Sequence, residues 1–227
     1  MKGTLYGVGV GPGDPSLLTL KAIACIQAAA VVAVPDSGSE QAALKIVQEY
    51  IGGKEILYCP MPMTRDEAVK QAAHEAGADR IASQLDQGRD VAFVTLGDPS
   101  IYSTYIYLHR IMLARGYDAQ LIPGIPSFCA AAAELNMPLC EKEQPLHILP
   151  GGTAEGWEDL PGTRVLMKIG KRFEQTAEKL KAHGLYERAS LVENCGMESE
   201  RLFRSLSELS GTPGYFSIII VKDGEDA

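Results

Sequence analysis

The chain has no C-x-x-C pair, no run of basic residues and no apolar stretch long enough to cross a bilayer. Each absence removes a class of function. Five scattered cysteines (Cys25, Cys59, Cys129, Cys140, Cys195) without that spacing argue against a structural zinc site or a dithiol redox motif. Most lie beside small or apolar residues, so reduced, partly buried thiols and a cytoplasmic setting are expected. Lys plus Arg number 21 against 29 for Asp plus Glu, a formal charge of −8. That balance argues against nucleic acid and anionic membrane as partners, while leaving room for a local cationic pocket. The longest apolar stretch, Ala22 to Val34, is broken by Gln27 and is too short for a membrane span. Met1-Lys2 lead straight into an apolar segment, so no leader is expected. His74, His109, His147 and His183 form no pair at ligand spacing, and no protein-bound metal is expected.

What is present begins at the N-terminus. The 227 residues, 46% hydrophobic, allow one large domain or two small ones. An apolar segment, Thr4 to Val10, feeds a turn with glycines at Gly7, Gly9, Gly11 and Gly13 around Pro12. Asp14 is a natural N-cap, and Pro15 suits the first position of a helix expected to run to Ala30. Such a turn brings backbone close to a ligand. It is not a dinucleotide fingerprint, because the third glycine of G-x-G-x-x-G is replaced by Pro12 or Asp14. It is not a phosphate loop either, since no lysine follows before Lys21, and Asp14 would repel phosphate. The plain alternative is a tight turn, though four glycines and a proline in seven residues exceed what that needs.

Along the first half, strands and helices alternate. Strands are expected at Thr4–Val10, Val31–Pro35, Glu55–Cys59, Val91–Leu96 and Ala119–Ile122. Helices are expected at Gln41–Tyr50, Asp66–Gln87, Tyr102–Arg115 and Ile125–Leu135. This order predicts a mostly parallel sheet covered on both faces. In the second half, Leu146–Leu149, Arg164–Ile169, Ala189–Glu193, Arg201–Ser205 and Tyr215–Val221 read as strands around one helix, Phe173–His183. A mixed sheet is expected there. The change places a domain boundary near Pro123-Gly124, giving domains 1–123 and 124–227. The acidic end, 223–227, is expected to fray.

Three turns leave the carboxyl ends of first-half strands: Gly11-Pro12-Gly13-Asp14, Leu96-Gly97-Asp98-Pro99-Ser100, and Pro123-Gly124-Ile125-Pro126-Ser127. A parallel sheet gathers them along one edge. They offer backbone groups and short polar side chains, which suit a neutral or zwitterionic ligand better than a polyphosphate.

These three motifs resemble those of the tetrapyrrole methylases. The matching segments include GTLYGVGVGPGDP, VAFVTLGDPSIYSTYIYL, IPGIPSF, LHILPG, VLMKIGK and YFSIIIVK, and the resemblance covers nearly the whole chain. Tyr-Ser-Thr-Tyr after Gly-Asp-Pro, and Leu-Met-Lys, favour the branch that methylates carbon 20 of precorrin-2 or its cobalt complex in cobalamin biosynthesis. The fold is shared with diphthine synthase, whose motifs fit less well. Another corrin precursor or a modified protein histidine as acceptor, or simple binding of an adenosine-type ligand, are the alternatives.

The resemblance implies an α/β, two-domain tetrapyrrole methylase-like fold with S-adenosylmethionine in a cleft between the domains. It places Pro12, Leu96, Gly97, Asp98, Ile101, Ser127 and Phe128 at the cofactor, with Ile169, Cys195, Tyr215, Phe216 and Ser217 near its adenine and methionine. The substrate would be a tetrapyrrole rich in acetate and propionate groups. Arg65, Lys168, Lys171 and Arg172 are candidate cations for it, and Tyr102 borders the site. For each cation, a solvated surface charge is the competing reading. Asp36 is the candidate base, with a turn or cap acid as its competing reading. A homodimer is expected.

Overall fold

A computed structural model of the chain describes residues 1–36, 40–151 and 154–223. The chain divides into two compact units, Met1–Pro126 and Ser127–Ala227.

The first unit alternates β1 (Leu5–Gly9), α1 (Leu20–Ala28), β2 (Val31–Asp36), α2 (Glu40–Val47), β3 (Glu55–Pro60), α3 (Glu67–Asp86), β4 (Val91–Thr95), α4 (Tyr105–Ala114) and β5 (Ala119–Ile122). Among the described residues its sheet has five strands in the order β3-β2-β4-β1-β5, and every pairing is parallel. Strand alternation sends Val8, Val32, Ala92 and Val94 to one face, where Ala22 and Ile26 of α1 and Ile46 of α2 cover them. The other face carries Leu5, Val31, Val91 and Phe93 under Ile81 and Leu85 of α3 and Tyr105 and Leu108 of α4. Phe93 and Tyr105 are fully buried. Burying a side chain of that size contributes roughly 1.5–3 kcal/mol.

Two helices start three or more residues later than the sequence predicts. Pro15–Leu17 forms only one 3-10 turn, capped by Asp14, whose carboxylate accepts the Ser16 N–H at 2.7 Å. Leu18 is then extended, and Thr19 caps α1 by accepting the Ala22 N–H at 3.1 Å. The second cap interrupts what reads as one helix. Likewise α4 begins at Tyr105, not Tyr102. Tyr102 has φ of +48°, a left-handed conformation that no right-handed helix continues through.

The second unit holds α5 (Ser127–Glu134), β6 (Leu146–Pro150), β7 (Thr163–Met167), α6 (Phe173–Ala182), β8 (Ala189–Glu193), β9 (Arg201–Phe203) and β10 (Ser217–Val221). Its sheet order is β6-β7-β10-β8-β9, with β6–β7 parallel and the other pairs antiparallel. This is the mixed sheet expected. Leu166, Leu191 and Ile219 pack under Leu180 of α6 and the fully buried Trp157. The segment after α5 is tied down by Arg204, which donates to Leu135 O at 2.9 Å, and by Lys222, which donates to Pro138 O at 3.0 Å. The end expected to fray lies outside the described residues beyond Asp223.

Candidate functional site: two clusters at strand ends

In the first unit, register sets the three turns level. Gly9 of β1 faces Thr95 of β4, and Val8 faces Ile122 of β5. The chain leaving β1 crosses to the α1 face and the chain leaving β4 to the α4 face. Adjacent strands that send their loops to opposite faces open a crevice at their carboxyl ends, where α/β sheets bind ligands.

The turns are locked to one another. Gly11 and Gly97 form an antiparallel bridge, with the Gly97 N–H donating to Gly11 O at 2.8 Å. Both glycines have positive φ, +76° and +69°. A β-carbon on Gly124 would lie 2.2 Å from Gly97 O and 2.6 Å from the Gly9 carbonyl carbon. One on Gly9 would lie 2.6 Å from Gly124 N. These contacts are backbone on backbone, so no side chain can give way, and glycine is required at both positions. The Asp98 carboxylate completes the lock. One oxygen accepts the Ser100 N–H at 2.8 Å and the other accepts the Gly124 N–H at 3.0 Å. Thr19 donates to Pro123 O at 3.4 Å, so the α1 cap also touches the third turn.

Pro12 and Gly97 are buried in this cluster, and Leu96, Asp98 and Ile101 are half-buried. Asp98 is occupied in holding the turns, a task its expected cofactor role did not foresee. No Lys or Arg lies in 9–14, 95–104 or 122–126. The cluster therefore presents backbone dipoles without cations, which suits an uncharged or zwitterionic ligand rather than a polyphosphate. Asp36 ends β2, exposed, at the same sheet edge, while Tyr102 is exposed beyond the second turn. Arg65 is exposed in the segment after β3.

The second unit builds its own cluster. β10 runs antiparallel to both β7 and β8, pairing Ile218 with Met167 and Ser217 with Glu193. The start of β10 therefore meets the ends of β7 and β8. This brings together Ile169, Cys195 and the Tyr215-Phe216-Ser217 segment from distant sequence positions. Ile169, Cys195 and Ser217 are buried, Phe216 is half-buried and Tyr215 is exposed. Tyr215 stacks edge-on to Phe216, centroids 5.2 Å apart. Burial, helped by Glu200 and Glu134, pushes the Cys195 thiol up to about 12, so it stays protonated. Lys168 and Lys171 are exposed just past β7, with Lys168 held at φ of +56°. α5, the first element of the second unit, carries Ser127 at its start and buried Phe128.

Sequence reasoning missed one residue that shapes this cluster. Glu193, buried at the end of β8, accepts the Gly214 N–H at 2.5 Å and the Arg201 Nε–H at 2.7 Å. It fixes the approach of the chain to Tyr215. Nothing local announces it, because Gly214 lies far along the chain.

Three interlocked glycine turns at parallel strand ends, without Lys or Arg, define an α/β protein whose sheet end suits a ligand that needs no phosphate-binding cation. Comparison with known proteins narrows this. The model of the tetrapyrrole (corrin/porphyrin) methylases matches residues 4–210, and the chain belongs to that family. It is 32% identical over 230 residues to the cobalt-precorrin-2 C(20)-methyltransferase of Salmonella typhimurium, covering 97% of both chains. It is 34% identical over 239 residues to the cobalamin biosynthesis protein CobIJ of Mycobacterium tuberculosis, covering 98% of this chain but 46% of that one. The chain thus spans about half the length of that relative. Among solved structures it resembles the uroporphyrin-III C-methyltransferase of Thermus thermophilus complexed with S-adenosylhomocysteine. The TM-score is 0.72 at 20% identity, covering 97% of this chain and 98% of that one.

Proposed function

We propose that the chain transfers one methyl group from S-adenosylmethionine to carbon 20 of precorrin-2 or its cobalt complex. The observation that carries the cofactor reading is the cation-free cradle formed by the turns at Gly11, Gly97 and Gly124, locked to one another by backbone at the carboxyl ends of parallel strands. Such a surface fits a ligand joining an adenosine to a zwitterionic amino acid. The family and the kinship with a carbon-20 methyltransferase support the acceptor.

When bound, the cofactor supplies a methyl group already activated on sulfur, with a neutral thioether as leaving group. The protein's task is then alignment and exclusion of water, not activation. Pro12, Leu96, Gly97, Asp98 and Ile101 are assigned to cofactor binding in the first unit, together with Ser127 and Phe128. Ile169, Cys195, Tyr215, Phe216 and Ser217 are assigned the adenine and methionine contacts. Asp98 acts by fixing the Gly124 turn. Cys195 contributes shape, since its thiol is not ionised. Asp36, at the sheet edge, is the carboxylate assigned to accept the proton that the ring carbon gives up. Arg65, Tyr102, Lys168 and Lys171 are assigned to the substrate. A homodimer in the cytoplasm belongs to the same reading.

Binding and turnover test it together. Calorimetry should show S-adenosylhomocysteine binding in the micromolar range or tighter, and the protein should methylate precorrin-2 or its cobalt complex. Failure to bind at millimolar ligand refutes the cofactor assignment. Binding without methylation of any tetrapyrrole moves the acceptor elsewhere.

A further inference from the structure

An open groove of about 350 Å³ lies in the first unit, between the segment that follows β3 and the helices α3 and α4. Its lining includes Met61, Met63, Arg65, His74, Thr104 and Tyr107. Two features set it apart. First, the lining holds Arg65 and Lys70 but no Asp or Glu, on a chain with net charge −8. Lys70 is paired with Glu67 at 2.7 Å, whereas Arg65 pairs with no carboxylate among the described residues. Arg89 and Arg115, by contrast, are each engaged with acids. Second, His74 is only 8% exposed, yet its ring makes no hydrogen bond among the described residues. It stacks on Tyr107, centroids 4.9 Å apart and planes 8° from parallel.

A groove lined both by an imidazole and by a guanidinium without an acid partner among the described residues is suited to a ligand that accepts hydrogen bonds. The guanidinium fork matches a carboxylate in two parallel bonds. Met61 and Met63 supply soft apolar walls, and the stacked His74–Tyr107 pair supplies a flat one. The volume is at the low end for small-molecule sites, roughly 300–1,000 Å³, enough for part of a large ring system. The segment that lines the groove leaves the sheet at the same end as the glycine turns. β3 pairs in parallel with β2 up to Asp36 and Pro60, so its carboxyl end lies on the same sheet edge as the glycine turns.

We infer that this groove seats one carboxylate-bearing arm of the ring substrate, with Arg65 and His74 as the groups that bind it. The inference rests on the tetrapyrrole reading above and assigns that substrate's orientation to particular side chains. Lys70 remains a flanking charge held by Glu67.

Steady-state kinetics on the wild type, Arg65→Gln, Arg65→Lys and His74→Phe tests it, with S-adenosylhomocysteine affinity measured beside. Arg65 is exposed, so its replacement leaves the fold intact; His74→Phe preserves the stacking surface. The expected result for Arg65→Gln is a rise in tetrapyrrole KM of about tenfold or more, the loss of one charge-assisted hydrogen-bonding group. Its kcat and cofactor affinity should stay near wild type, and Arg65→Lys should recover part of the loss. His74→Phe should raise KM as well. A substrate whose acid arms are methyl esters should bind the wild type more weakly, with a smaller penalty in Arg65→Gln. Wild-type turnover with an unchanged KM in Arg65→Gln overturns the groove assignment alone. Absence of turnover by the wild type overturns the tetrapyrrole reading and the groove assignment with it.

Discussion

Asp98 accepts the Gly124 N–H at 3.0 Å, joining the turn after β4 to the turn after β5 across the end of β1. The same carboxylate accepts the Ser100 N–H at 2.8 Å, so one side chain sets the shape of its own turn and the position of the next. Asp98→Ala should therefore cost stability as well as ligand affinity. Hydrogen bonds to a charged group are worth about 1.5–3 kcal/mol each, and half-burial puts this site at the low end. We expect a loss of roughly 2 kcal/mol in urea denaturation, scaled from those bonds. S-adenosylhomocysteine affinity should fall by about tenfold or more, the equivalent of one lost bond of this kind. Asp98→Asn keeps one acceptor oxygen and should lie between. Normal stability and affinity in Asp98→Ala would mean the turns hold without their tie.

Gly124→Ala probes the close backbone approach. The added β-carbon would sit 2.2 Å from Gly97 O, against main chain that cannot rotate away. Overpacking of this kind costs about 1–3 kcal/mol and occasionally more, and the upper end is expected here. Gly52→Ala is the control, since a β-carbon there meets nothing within 4 Å. Circular dichroism melts should show a marked fall in Tm for Gly124→Ala and almost none for Gly52→Ala. Equal effects at the two positions would remove the steric basis of the cradle.

How far the sequence discloses these features depends on how local they are. Val31–Pro35 reads as a strand because five apolar residues, three of them valine, end in a polar loop, and β2 occupies that place. The three glycine turns are equally local, each a few residues of Gly, Pro and Asp after a strand. Helix starts depend on single caps, and there the reading slips. Thr19 outcompetes Asp14 as the start of α1, and a left-handed Tyr102 delays α4. The contacts that assemble the sites are not local at all. Gly9 meets Gly124, Glu193 meets Gly214, and His74 stacks on Tyr107, each pair joined only after strands and helices have packed.

Thiol chemistry offers an independent check of burial. Cys59 and Cys195 are buried, and that burial pushes both thiols up to about 12; burial also raises Cys25, to about 11. Cys129 and Cys140 are exposed. With a thiol-reactive dye at pH near 8, Cys140 and Cys129 should react first, Cys129 more slowly because partial burial raises it too. Half-buried Cys25 should react slowly, and Cys59 and Cys195 only once the protein is unfolded. Rapid modification of Cys195 in the native protein would contradict its placement.

His74 gives a pH signature. Burial, with Lys70 as a second cause, lowers its pKa from the usual 6.5, while Glu67 and Glu75 oppose weakly. The unfolded chain therefore takes up the proton first, and protonation favours unfolding. This contribution is full above about 6.5 and is lost as pH falls below it, toward the depressed folded value. His74→Phe keeps the ring stack and removes the titration. Its stability relative to wild type should rise as pH is lowered from 7 to 5, as read by urea denaturation at each pH. A difference that stays flat across that range would contradict the buried, neutral imidazole.

The claim that the chain methylates carbon 20 of a corrin precursor is tested most directly by following a labelled methyl group. Anaerobic reactions with S-adenosylmethionine carrying a ¹³C methyl, run in parallel on precorrin-2 and its cobalt complex, should be read by NMR. The account predicts one new ¹³C methyl signal, attached to ring carbon 20, with at least one of the two substrates. Label on a different carbon, or none on either substrate from protein that binds S-adenosylhomocysteine, would contradict it.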